Sequence, residues 1–336
     1  MEPIDEWAFS TTEAGRELGH DYCRLSRLPM QAAWPTPLKE GFAAAAAQGG
    51  SRHTPDRFER KWLQLRYSAW QRRRVVAADV TVELLRQLDL THCPITREPL
   101  THGRGADTDW SIDRLNNDGA YAAANLAVMS TRVNRAKAAL SFDEVLRFAT
   151  VSHDGPAAAA LPATQWMRLA VLMLGPSFAT ADRHRLAPAL PLCAPLPVHS
   201  VRLALQQVQR LFTVQAGRPA GKNALVRDFR RACRGEASQQ LLRRLADAVH
   251  QALKQLGPAE QCWDIWLQPA VMTALVQWRE SLGEREWAEA ARIAGQLAGG
   301  LRVTAASLSP WHLATRGYRQ PTIAPPPSTS TVLPVE

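Results

Sequence analysis

Four consecutive turn formers, Asn116-Asn117-Asp118-Gly119, stand between two short apolar stretches. No other feature limits the fold of this chain so strongly. Asn, Asp and Gly tolerate positive φ at little steric cost, so the run predicts a reversal between two strands. The first strand is read over 110–115 (WSIDRL) and the second over 126–129. Side chains alternate along a strand. Trp110, Ile112 and Arg114 therefore share one face, and Ser111, Asp113 and Leu115 the other. Ser130 or Thr131 is placed to cap a following helix. On that helix Val133, Ala136 and Leu140 fall inward, while Thr131, Asn134 and Lys137 recur three apart on another face.

This strand–turn–strand–helix unit presents Asp113 from a strand and Asn134 from a helix toward one point. Both carry hard oxygen atoms, which suit a divalent ion such as magnesium or manganese. Water would complete the shell and leave room for a phosphate oxygen. Such an ion would neutralise charge in the transition state of phosphodiester hydrolysis. Arg132, Arg135 and Lys137 follow closely enough in sequence to hold a nucleic-acid backbone.

The Asp113-Arg114 pair, the Gly119-Ala120-Tyr121 turn, the Asn125-Leu126 pair and the run from Ser130 to Asn134 and Lys137 together resemble the HNH nuclease family, in a phage- and mobile-element-like branch. The resemblance covers roughly residues 78–148 and includes the Cys93-Pro94-Ile95-Thr96 segment. It implies a bacterial or phage-type ββα-metal fold and an endonuclease that cuts nucleic acid, with DNA expected ahead of RNA and the choice between them left open by the sequence. It also implies that Asp113 and Asn134 ligate the metal and that Asn125 braces the loop. Arg114 stands where the family carries its general-base His. Arginine stays protonated and cannot take a proton from water. The base then falls to His92, to His102 or to metal-bound water, and Arg114 would grip the scissile phosphate as a bidentate fork. The alternative is a nucleic-acid-binding protein that kept the scaffold and lost cleavage with its histidine. Only Cys93 remains of the family's cysteine pairs, so no structural zinc is expected.

The flanks are read as helices and linkers. Residues 1–53 are read as short helices and loops. A helix over 54–74 starts with Thr54 as cap and Pro55 as first residue. Phe58, Trp62, Leu65 and Ala69 recur along one of its faces. From Arg52 to Arg74 there are eight Arg or Lys against two acids, ending in Arg72-Arg73-Arg74, three further candidates for nucleic-acid contact. A short helix is expected over 81–88, a hairpin over 93–100, and a capped helix from Ser141 and Glu144. Residues 151–198 read as an Ala/Pro-rich linker around one short helix. Residues 199–310 read as a separate bundle of four to six helices, open to a protein partner or self-association. The stretch from Arg202 to Arg244 carries ten Arg or Lys against two acids. Residues 311–336 read as a Pro/Ser/Thr-rich disordered tail. The expected fold class is α+β, with a ββα-metal core flanked by helices and followed by a separate, mostly helical domain.

Composition agrees with that reading. The chain has 336 residues, 46% of them hydrophobic, enough for two globular domains. Its net charge of +9 favours polyanions. The five cysteines are scattered, which argues against a disulfide framework or a zinc cage and fits a reducing cytoplasm. The opening MEPIDEWAF lacks a basic-then-apolar signal pattern. No apolar run approaches the roughly 18 residues a bilayer span needs, so no membrane partner is expected.

Overall fold

The structure is a computed structural model that describes residues 6–26, 28–49, 54–151, 160–299 and 304–319. The expected tail from 320 onward, Arg52 and residues 157–159 lie outside the described residues. Among the described residues the chain is a mixture of many helices and one small antiparallel sheet of two strands. The described residues divide into two compact units, one made of those up to Val76 together with 317–319, the other of those within Ala77–Arg316. No helix of the described residues is long and apolar enough to cross a membrane.

The first unit contains α1 (Glu6–Leu25), α2 (Thr36–Ala47) and α3 (Arg57–Gln71). Instead of short helices and loops, residues 6–25 form one long helix. It lies very close to α2, because Gly41 has no Cβ; one built there would stand 1.9 Å from the Arg16 carbonyl oxygen. Leu18, Trp34, Leu38 and Leu63 form the core, with Tyr22, Phe42, Trp62 and Trp70 packed against it. α3 starts three residues later than Thr54. The Asp56 carboxylate accepts from the Phe58 and Glu59 amides at 2.8 Å each, and the Glu59 carboxylate accepts from the Asp56 amide at 2.7 Å. This reciprocal cap satisfies more orphan donors than threonine followed by proline could.

α3 also ends before the arginine triplet. Arg73 has φ of 54°, and Arg74 pairs with Tyr318 through both backbone and side chain. Its guanidinium lies 3.6 Å from the Tyr318 ring centroid and donates to the Tyr318 hydroxyl at 2.8 Å. Arg66 is likewise turned inward, bonded to Asp21 and stacked on Trp62.

The second unit opens with α4 (Val82–Gln87), capped by Thr81. A tight turn follows, in which the Cys93 amide donates to the Glu98 carbonyl and the Arg97 amide to the Cys93 carbonyl. Asp109 then closes the glycine-rich loop by accepting from the Arg104 and Gly105 amides and the Thr101 hydroxyl. β1 (Trp110–Arg114) pairs antiparallel with β2 (Leu126–Ser130), Ile112 opposite Val128. α5 (Thr131–Lys137) leaves β2 directly, with Ser130 as its cap. α6 (Phe142–Thr150) begins at the Ser141–Glu144 capping box.

The expected linker is largely core. α7 (Ala163–Ser177) is buried from Leu169 to Ser177 and packs on α6. Leu192, Cys193 and Ala194 are buried as well. After α8 (Ala181–His184) come α9 (Ala204–Gln215), α10 (Pro219–Phe229), α11 (Glu236–Lys254), α12 (Pro269–Glu280) and α13 (Glu284–Ala298), then a short α14 (Ala305–Leu308). Buried glutamines on α9 tie it to the preceding segment: Gln206 donates to the Val171 carbonyl and Gln209 to that of Leu190. Arg97, Arg168 and Asp264 form a further tie. Arg97 grips the Asp264 carboxylate with two nitrogens, and Arg168 donates to the Ile95 carbonyl at 3.0 Å. The helices beyond 199 are therefore continuous with the sheet region rather than a separate domain. Trp311, expected in the tail, is buried; its indole donates to the Ala123 carbonyl and its own carbonyl accepts from Ala120.

Candidate metal and nucleic-acid site

β1 alternates as its sequence dictates. Trp110, Ile112 and Arg114 are buried on one face, and Ser111 and Asp113 are half-buried on the other. α5 crosses this second face. Asn134 and Lys137, one turn apart on the helix, meet Ser111 and Asp113, two residues apart on the strand. The Asn134 carboxamide donates to the Ser111 hydroxyl at 2.6 Å. Lys137 Nζ donates to Asp113 Oδ2 and to Asn117 Oδ1, both at 2.8 Å. Asn117 is held in turn by donating to the Leu140 carbonyl.

The Lys137 side chain is 0% exposed and that of Asp113 15%. Taking an ammonium out of water costs several kcal/mol, recovered only through a counter-charge and hydrogen bonds with good geometry. Asp113 and Asn117 supply these. Lys137 is thus an internal counter-ion, not a surface contact for phosphate.

Arg114 is turned into the loop. Its Nη1 donates to the carbonyls of Asn117 and Gly119, at 3.0 and 2.8 Å, and its guanidinium lies over the Tyr121 ring. It is 8% exposed and projects from the face opposite Asp113, so it is not presented as a phosphate fork. Asn125 is fully buried and braces the same loop. Its Oδ1 accepts from the Asn116 amide, and its Nδ2 donates to the Asn116 and Ala120 carbonyls. The loop passes so close that a Cβ on Gly119 would stand 2.7 Å from Asn125 Nδ2.

Neither histidine named as a base joins Asp113. His92 pairs with the neighbouring Thr91 hydroxyl. The His102 ring meets Trp110 edge-on, on the other side of β1. Cys93 is buried and accepts from the Ser130 amide through sulfur, joining the tight turn to the end of β2.

The remaining candidates lie outward. Arg132 is half-exposed and has no side-chain partner among the described residues. Arg135 is 69% exposed and paired with Asp107 at 2.7 Å. Such an exposed pair is worth about 0–1 kcal/mol and yields readily to a phosphate. Arg104, on the neighbouring glycine-rich loop, is exposed. Arg72, Arg73 and Arg74 belong to the other compact unit. Asp109 titrates below the ordinary carboxylate range, first because of the Thr101 hydroxyl and then because of the loop amides, with burial opposing.

Among the described residues no three His, Cys, Asp or Glu side chains gather as a metal cage. A divalent ion here would have one carboxylate, one carboxamide and water. Asp113 Oδ1 and the Asn134 carboxamide Oδ1 accept no hydrogen bond from a described residue, but the carboxylate already balances Lys137. Two unit charges about 4 Å apart interact by about 4 kcal/mol at an effective dielectric constant of 20. A divalent ion beside a fixed ammonium meets about twice that repulsion, so the donor set fits a metal poorly while Lys137 is in place. Comparison with family models, with curated proteins and with solved structures finds no match to this chain.

Proposed function

We propose that this chain binds nucleic acid, DNA in the first place, through an HNH-like ββα unit that neither holds a metal nor cuts its ligand. One observation carries the reading: the Asp113 carboxylate is committed to the buried ammonium of Lys137, and neither His92 nor His102 is bonded to it among the described residues. Arg114, in the position of the family's histidine, holds the loop. The outward face of α5 and the adjoining loop offer Arg104, Arg132 and Arg135 to a phosphate backbone, and the net charge of +9 favours the encounter. The test is DNA binding measured with a chelator present. The reading expects salt-sensitive binding in the chelator that magnesium or manganese in its place does not strengthen, and a supercoiled plasmid that stays intact with either metal.

A second reading, a metal-dependent endonuclease hydrolysing phosphodiester bonds in DNA, is favoured by the two unbonded oxygens, Asp113 Oδ1 and Asn134 Oδ1, on neighbouring elements. It requires Lys137 to leave Asp113. Metal-dependent nicking by the parent that vanishes in Asp113→Ala establishes it and ends the first reading.

A further inference from the structure

Six arginines cluster where α10 passes into α11: Arg227, Arg230, Arg231, Arg234, Arg243 and Arg244, all exposed. Printed side by side in sequence they are only a basic stretch, but the fold makes them contiguous. Arg230 donates through Nε to Gln239 Oε1 at 3.1 Å, which seats it on α11. Arg243 lies one turn further along that same face, with Arg244 beside it. Arg231 donates to the Asp228 carbonyl, and Arg227 pairs with the Asp228 side chain. Arg234 is paired with Glu286 of α13. Arg230, Arg243 and Arg244 have no acidic partner among the described residues. The apolar residues of the same helices, Phe229, Leu242 and Leu245, are buried, so the arginines lie outside that packing.

A surface on which exposed guanidinium groups outnumber their acidic partners favours a polyanion. It lacks any means of reading bases in a single strand, since none of the exposed large apolar side chains of the described residues falls within 218–245 and stacking needs an aromatic platform. What it can grip is a phosphate backbone, for which the planar fork of arginine is suited.

We infer that the α10–α11 arginines form a second nucleic-acid footprint, one that holds the phosphate backbone of duplex DNA without reading its sequence. The inference rests on the reading above that the chain binds nucleic acid, and extends it to a surface outside the ββα unit. Each phosphate contact contributes a slope of about −0.9 to the dependence of log affinity on log salt for duplex DNA.

The experiment compares the full-length parent with an Arg230→Gln/Arg243→Gln/Arg244→Gln variant, using fluorescence anisotropy on random duplex DNA over a salt series. The variant is expected to bind about tenfold more weakly at low salt, with a slope shallower by about 2 to 3 and the same loss on unrelated sequences. Its melting temperature stays that of the parent. Equal affinity and slope for the two proteins overturn the inference while leaving the binding reading intact. A parent that binds no duplex overturns both, as does a parent that ignores DNA but is captured by phosphatidylserine vesicles through these arginines.

Discussion

Within one compact unit, the strand–turn–strand–helix segment and the helices that follow it are held together by different physics. The first is fastened by directional polar groups: the Lys137 ammonium between Asp113 and Asn117, the Asn125 carboxamide and the Arg114 guanidinium inside a single loop. The second is fastened by aromatic volume. Trp278 is fully buried between Phe229 and Trp287, and Trp266 is sealed in with its indole donating to the Thr213 hydroxyl. A polar lock fails all at once when one partner goes, because the other is left buried and unpaired. An apolar lock weakens in proportion to the volume removed.

That contrast sets the order of expected effects. Lys137→Met leaves the Asp113 charge without its partner and is expected to cost about 3–5 kcal/mol in urea unfolding. Adding Asp113→Leu is expected to restore most of the loss, since replacing both members of a buried ion pair by apolar groups is often near neutral. If the double variant is no better than the single one, the lock is not the pair. Trp278→Ala opens a cavity in the helical layer and is expected to cost a similar ~3–5 kcal/mol, with no second substitution of one charge able to repair it. Asp264→Ala cuts the tie between the two regions by freeing Arg97 and Arg168, and about 1–3 kcal/mol is expected, read by the same unfolding curve. The smallest effect falls at the surface: Arg135→Gln is expected to change stability by less than about 0.5 kcal/mol while weakening DNA binding in anisotropy.

The acid side of the stability curve sharpens the comparison from another direction. The folded-state pKa of Asp109 is depressed, so its contribution is present above the ordinary carboxylate range and is lost as pH falls through its lower folded value. The protection of the glycine-rich loop amides, corrected for the intrinsic pH dependence of exchange, is therefore expected to fall at the acid end before the helical layer loosens, and to stay level in the neutral range.

Much of the sheet region was legible in sequence because its signals are local. Strand alternation assigned the faces of Trp110, Ile112 and Arg114 against Ser111 and Asp113, and the caps at Ser130 and Ser141 follow from side-chain chemistry. The same alternation already turned Arg114 away from Asp113, although the family resemblance drew it toward a phosphate. Lys137 stands four residues after Val133, and both are buried on one helix face. That spacing is the signal that it points inward, yet its partners, Asp113 and Asn117, come from distant positions that helix periodicity does not reveal. The long-range features were not legible. α7 is apolar on nearly every side and so is a buried helix, but its Ala- and Pro-rich flanks imitate a linker. The division into units depends on Val75 and Gly317 meeting through backbone hydrogen bonding, which no local pattern encodes.

The most direct test of the account is a manganese titration of the full chain followed by the electron paramagnetic resonance of free Mn²⁺, in parallel with Asp113→Ala. If Lys137 is the cation that Asp113 serves, the parent takes up no stoichiometric manganese and the two proteins titrate alike. Uptake of one ion per chain by the parent, abolished in Asp113→Ala, contradicts that claim and restores a metal to the site.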